Sequence, residues 1–417
     1  MSILHFIGDG VRAMLRGGKL YWAWLGGLAL VFGIGLVAYA GQLRDGLVVT
    51  GMSDQVSWGF YIANFAFLVG IAAAAVLLVI PAYIFHRADV KQVVLIGEGL
   101  AVAAVLCAMM FVLADLGSPE RAWHLIPFIG RFNWPASMLA WDVLVLNGYL
   151  ALNLALPFYV HYRHWQGREP KLRAYFPVVV VAMFWAVSIH TVTAFLFSAN
   201  AGRPFWHTAL LGPRFIASAF VSGPALIIVV LQLIRRYTDY QVKQSVIDLL
   251  ALVMAVSLQI SLFFVVVELF TDFYNETSHA GSMRYLFFGL HGLDGLRTWI
   301  WTALALNLVA VVLLSIHRTR RAPLTLNLAC ALAFVGIWIE KGMGLVVPGF
   351  IPTPLGEVFE YTPTVHELAV TLGIWAFGAI VFTVLAKASI AIETGRVRQQ
   401  RRPEAGAAPL KASSASS

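Results

Sequence analysis

Charge is scarce in this chain. Asp, Glu, Lys and Arg together make up 12% of its 417 residues, about half the share of a soluble domain. That scarcity excludes a cytosolic enzyme, a disordered chain and, despite the net charge of +8, a nucleic-acid binder. Cysteine is nearly absent as well. Cys107 and Cys330 are the only two, each inside an apolar stretch, and no CxxC or CxxCH motif exists. The chain therefore cannot hold an iron–sulfur cluster or a c-type haem by itself, and the two thiols read as small core hydrophobes. A b-type haem asks for two axial histidines at matched depth on neighbouring helices. Of the 11 histidines only His190 lies well inside an apolar stretch, which argues against haem too.

What is abundant is hydrocarbon. Hydrophobic residues account for 60% of the chain, in blocks as long as the roughly 20 residues needed to cross a bilayer. Ten spans are predicted: 20–42, 57–86, 92–117, 136–162, 175–198, 213–236, 246–274, 298–316, 323–346 and 364–387. Helices are the default for such spans, because no water is present to satisfy the backbone. The fold class is thus all-α and polytopic. Its parts are a short N-terminal segment over 1–19, a ten-helix membrane domain over 20–390 and a basic tail over 391–417 that reads as solvated and without a fold. With the N-terminus assigned to the cytoplasm, 21 of the 29 Lys and Arg fall on the inner side. This positive-inside bias predicts a bacterial inner-membrane protein with both termini cytoplasmic. The longer outer loops suggest a docking platform. The glycine-broken stretch Tyr285–Gly292 is expected in the interface.

A charge at the bilayer centre costs about 2.5–3.5 kcal/mol even on lenient scales, so each intramembrane polar group needs a reason. Depth follows from position at about 1.5 Å per residue. By that measure Trp58, Tyr61, Asn64, Asp115, Asp142 and His190 all lie in the outer part of spans two to five. Glu268 and Asp272, with Glu276, line one face at the outer end of span seven. Glu340 and Lys341 stand at the outer end of span nine, with Glu367 at the start of span ten. Glu98 and Asp248 are acidic and shallow on the inner side. Plainer readings exist for several of these. Trp58 suits an interfacial aromatic belt, Tyr61 and Asn64 interhelical glue, and Asp115 a pair with Arg121. Glu367 suits a dipole-favoured helix start.

Which chemistry wants such a set? Two-electron conversion of a quinone moves two protons. Its site needs donors to the carbonyls, a carboxylate or histidine to shuttle protons, and an apolar cleft for the tail. Tyr, Asn, Asp and His at one depth supply those groups, and electrons must then come from a partner. Catalytic proton-relay candidates are His190, Asp142 and Asp115. Quinone-binding candidates are Trp58, Tyr61, Asn64 and His190. Proton-path candidates are Glu98, Glu268, Asp272, Glu340 and Glu367. No metal site is expected. A secondary transporter, which predicts a polar midplane site with broken helices, and a simple membrane anchor are the competing readings.

Several stretches resemble a known family. Gly51–Phe65, including Ser57-Trp58-Gly59-Phe60-Tyr61-Ile62-Ala63-Asn64, is similar to the start of the second helix in NrfD/PsrC-type membrane subunits. Asp115-Leu116-Gly117-Ser118-Pro119-Glu120-Arg121 resembles that family's turn after helix three. Ser188–Phe195, Phe205-Trp206-His207-Thr208 and Pro213-Arg214-Phe215 resemble a ten-helix branch that includes the hydrogenase-2 membrane subunit. Lys341–Gly349 and Tyr361–Leu368 resemble its DsrP-like branch, associated with dissimilatory sulfur metabolism. The likeness runs over about residues 15–395. It implies two four-helix bundles with flanking helices, a quinone (menaquinone or ubiquinone) pocket near the outer face, and an extracytoplasmic ferredoxin-like iron–sulfur subunit docked above it, with further membrane and redox subunits beside it. It adds His207 and Arg214 to the quinone-binding candidates.

Overall fold

The computed structural model describes residues 2–72, 75–274 and 280–398, and these contain helices and turns with no β-strand among them. Twelve helices carry the fold. They are α1 (Ser2–Leu15), α2 (Lys19–Asp45), α3 (Phe60–Ile84), α4 (Val94–Asp115), α5 (Met138–Trp165), α6 (Leu172–Ser198), α7 (Leu211–Tyr237), α8 (Gln244–Tyr274), α9 (Ala280–Phe288), α10 (Arg297–Ser315), α11 (Pro323–Phe350) and α12 (Val365–Glu393). All but α1 and α9 are long and apolar enough to span a membrane, giving the ten spans expected. An even number returns the chain to the side on which it starts. We call that side proximal and the opposite one distal.

The helices close two rings. Helices α3, α4, α5 and α6 pack each on the next, with α6 returning to α3; α7, α8, α10 and α11 do the same. The rings share a seam in which α7 packs on both α3 and α6, and α11 on α3. Helices α2 and α12 pair with each other and flank α4. The two four-helix bundles with flanking helices are therefore present.

Sequence character explains who sits where. From Phe60 to Ala72 every residue of α3 is buried, as befits a helix apolar all round. By contrast only Gly35 and Gln42 are buried in α2, so the side of that helix turned away from α12 is left for lipid. Gly35 meets α12 at Gly373, where a Cβ on Gly35 would stand 2.6 Å from the Gly373 Cα. This is the small-residue crossing that lets membrane helices approach closely. At its distal start α12 carries a capping box between Thr364 and Glu367, which satisfies two orphan donors reciprocally.

Two segments are placed more finely by the structure. Within residues 1–19, α1 occupies Ser2–Leu15 and docks on α5 and α12. Of the stretch Tyr285–Gly292, residues 285–288 end α9, with Tyr285, Leu286 and Phe287 buried and Phe288 60% exposed. Glu276 lies outside the described residues, as does the tail beyond residue 398.

Candidate functional site

The densest buried charge lies at the distal end of the second bundle. Arg214, in the first turn of α7, donates through Nη1 to Glu268 of α8 and through Nη2 to Glu340 of α11, the latter at 3.1 Å. The other oxygen of Glu340 accepts from Asn307 Nδ2 of α10 at 3.1 Å. All four helices of the bundle thus converge on one network. Next to it, the Lys341 Nζ lies 4.2 Å from the Phe215 ring centroid and donates to the Phe215 carbonyl at 3.4 Å. Desolvating each ion costs several kcal/mol, which close pairing offsets. Two cations facing two carboxylates bring the local sum near zero.

This network opens into a cleft of about 310 Å³, with His207, Thr208, Arg214, Glu268, Asp272 and Met283 among its walls. A second, much smaller cavity shares Leu211, Arg214 and Leu345 with the first and is lined as well by Ser218, Glu340 and Lys341. The volume is at the lower end of small-molecule pockets, about 300–1,000 Å³. His207 is exposed and its Nδ1 lies 2.9 Å from the Ser198 carbonyl. On the face of α8 turned away from the cleft, Phe263, Val266 and Phe270 point outward.

The first-bundle candidates share a depth but divide laterally. Asp142 of α5 accepts from Thr193 Oγ1 of α6 at 2.8 Å. One turn earlier on α6, His190 is 1% exposed, with Nδ1 3.2 Å from the Ala186 carbonyl and Nε2 without a partner. Tyr61 points the other way, donating to Gln42 Oε1 of α2 at 2.7 Å, while Gln42 Nε2 donates to the Ala114 carbonyl at 2.6 Å. Its neighbour Asp115 keeps Oδ1 buried and unpartnered. Asn64 lies three residues from Tyr61 but serves a third neighbourhood. Its side-chain oxygen accepts from Trp338 at 3.1 Å and Trp375 at 3.0 Å, and its Nδ2 donates to the Phe60 carbonyl at 2.8 Å. Trp58 joins an aromatic box, stacked on Trp206 at 5.5 Å and edge-on to Phe197 and Phe350.

Glu367 is fully engaged in the fold. One oxygen accepts from the Gly51 and Thr364 backbone at 2.8 and 2.9 Å, the other from the Tyr361 hydroxyl, whose oxygen in turn accepts from the Phe60 amide at 2.7 Å. Near the proximal end, Glu98 is buried with Oε2 unpartnered. Two rungs there join α5 to α12: His161 Nε2 to Ser389 Oγ at 2.9 Å, and His164 Nδ1 to Glu393 Oε1 at 2.6 Å. Asp248 sits at the surface within 3.7 Å of Arg321. Among the described residues no group of three or more His, Cys, Asp or Glu is arranged to hold a metal ion.

Sequence reasoning gave no part to Asn307, Gln42, Ser389 or Glu393. A polar side chain within an apolar span was the available signal for Asn307 and Gln42; what each one touches was not.

The family profile described as "Polysulphide reductase, NrfD" matches residues 48–341. The chain is 29% identical, over 87% of its length and 90% of the relative's, to the membrane subunit of a putative dimethyl sulfoxide reductase from Halobacterium salinarum. It is 23% identical to the Hdr-like menaquinol oxidoreductase integral membrane subunit of Archaeoglobus fulgidus, over 86% of this chain and 91% of that one. Identity is again 23% to the menaquinone reductase integral membrane subunit of Nitratidesulfovibrio vulgaris, over 87% and 89% of the two chains. With ten spans, two four-helix bundles and a profile match over most of the membrane region, this chain is a multi-pass membrane protein that belongs to the NrfD family.

Proposed function

We propose that the chain exchanges electrons between the membrane quinone pool and an iron–sulfur partner subunit, and that the quinone head group is received in the distal cleft beside Arg214. The observation that carries this reading is the cleft itself. It is a ring-sized opening, with the Arg214 guanidinium to donate to a ring oxygen, the free Nε2 of His207 to accept from a quinol hydroxyl, and two carboxylates within its walls. Two relatives named for menaquinol or menaquinone support the substrate class.

Oxidation of a quinol releases two electrons and two protons. Arg214 and His207 are placed to hydrogen-bond the ring oxygens, and Glu268 and Asp272 to take the protons. Behind them the second cavity is lined by Glu340 and Lys341. His190 and Asp142 then serve as the inner relay, with Glu98 as a proximal proton carrier. Electrons pass to a ferredoxin-like iron–sulfur subunit resting on the distal loops, where Phe128, Ile129, Trp134 and Leu355 stand exposed, as surfaces awaiting a partner do. The charge bias of the loops supports a distal face on the periplasmic side of a bacterial cytoplasmic membrane, with both termini inside. The resemblance of Lys341–Gly349 and Tyr361–Leu368 supports service in dissimilatory sulfur metabolism. A sibling hydrogenase or polysulfide-reductase-like complex keeps the chemistry and changes the partner.

A second reading has its own observation. The buried, unpartnered Asp115 Oδ1 and His190 Nε2 favour a head group within the first bundle instead. Quinol-analogue binding and turnover in the purified complex separate the two, using His207→Ala, which removes an exposed ring and no buried charge, and His190→Ala. We expect weakened binding in the former, and retained binding with lost turnover in the latter. Binding lost only with His190→Ala moves the head group to the first bundle. Binding unchanged by both, with normal turnover, refutes both placements.

A further inference from the structure

The N-terminal helix divides into three faces. At 100° per residue, Ile3, Leu4, Ile7, Val11 and Leu15 share one sector, and all are 45–75% exposed. Phe6 and Ala13 fall in the adjoining sector and are buried, at 7% and 8%. Asp9, Arg12 and Arg16 fill a third. The buried face sets the helix's depth. The Phe6 ring lies 5.3 Å from Phe158, 5.4 Å from Tyr162 and 5.7 Å from Trp165, and Asp9 accepts from Trp165 Nε1 at 3.1 Å. Phe158 and Trp165 are separated by about 10 Å along α5. Helix α1 therefore lies beside the last two turns of a membrane span and not beyond the span's end.

We propose that α1 is an in-plane membrane-surface helix, its apolar stripe set among acyl chains and its Arg12, Arg16 and Lys19 binding anionic lipid headgroups. The exposed stripe continues into the outward-facing Leu20 and Trp24 of α2 and Phe158 of α5, so one apolar surface meets one solvent. Arg16 and Lys19 are exposed, and the Arg12 side chain is 73% exposed. Val397 packs on the cluster of Phe6, Trp165 and Ile392, which brings the exposed Arg398 to the same edge. Asp9 is the only acid on the helix and is held by Trp165 and Arg12. A stripe of apolar residues opposite a basic face is what an interfacial helix needs, and basic residues at an anionic surface add attraction.

Cys107 and Cys330 are buried, so a cysteine introduced in α1 is the accessible one for a spin label. The test uses the whole complex in nanodiscs, labelled at Ile7→Cys, Val11→Cys or Arg12→Cys. We expect positions 7 and 11 to collide with oxygen in the acyl region and position 12 with an aqueous nickel chelate. Water access at all three overturns the in-plane placement. Protection from both reagents at 7 and 11 overturns the lipid occupant and gives the stripe to a partner protein. Removing one cation should weaken retention of anionic lipid about fivefold. Native mass spectrometry of Arg12→Gln/Arg16→Gln showing anionic lipid retained as in the parent refutes the headgroup assignment.

Discussion

Arg214→Met takes the guanidinium from between two carboxylates and leaves the space filled. The side chains of Arg214, Glu268 and Glu340 are 13%, 10% and 2% exposed, so water, which reaches Arg214 and Glu268 only through the cleft, replaces the lost partner poorly. A carboxylate left in this position can escape by taking up a proton. For a group with an ordinary pKa of about 4.3 at pH 7, that costs about 3.7 kcal/mol, at 1.36 kcal/mol per unit. Glu340 retains Asn307 and the charge of Lys341, so Glu268 bears most of the loss. The expected destabilisation is about 3–5 kcal/mol, the range seen when one partner of a buried pair is removed. Arg214→Met/Glu268→Gln should recover about half of it. Reversible unfolding by SDS in mixed micelles, followed by helicity, measures both variants. A single variant within about 1 kcal/mol of the parent, or no recovery in the double variant, refutes the view that these charges are buried and interdependent.

Other consequences are smaller. Gly35→Ala brings a methyl group to 2.6 Å from the Gly373 Cα, so α2 and α12 must part; the same unfolding assay should show a loss of about 1–3 kcal/mol, and an unchanged midpoint would show that the crossing is loose. On the proximal loop, Asp89 accepts from Arg87 at 3.1 and 2.5 Å and from Ser245 at 2.6 Å. The Arg87 guanidinium, with help from Ser245, holds its carboxyl well below the usual carboxylate range. The lowered value in the folded chain means that its stabilisation is complete above the unfolded value of about 3.9 and fades as pH falls further. Asp89→Asn should therefore cost an amount that is constant between pH 7 and 5, below about 1 kcal/mol because solvent screens the pair. A cost that grows as pH rises from 5 to 7 would contradict that sign.

Much of the architecture was legible along the chain. Ten apolar blocks announce ten spans because the hydrocarbon thickness sets a minimum length for each, and the backbone within it has no choice but to be helical. Depth was legible for the same reason, since helices rise by a constant amount per residue. Asp142, His190, Glu268 and Glu340 lie in the distal halves of their helices, an order along the chain that helix bounds alone supply. The pairing of Thr364 with Glu367 follows from local spacing, as a capping box does.

Azimuth was not legible. Which way a residue faces depends on how each helix is rotated and which helices become neighbours, and both are settled by packing between segments far apart in sequence. Tyr61 and Asn64 stand three residues apart on α3, a spacing that puts them on one face, yet one reaches Gln42 on α2 and the other Trp338 and Trp375 on α11 and α12. A band of polar residues at one depth became separate neighbourhoods around the buried helix α3. Arg214, Glu268, Glu340 and Asn307 come from four helices and meet only because the second ring closes. The sequence by itself determined how many helices there are, how long they run and how deep each polar group lies, because those follow from a one-dimensional match between chain and bilayer. The tertiary structure alone decided which of those groups share a cleft, because lateral position is a property of the packed bundle and not of any one helix.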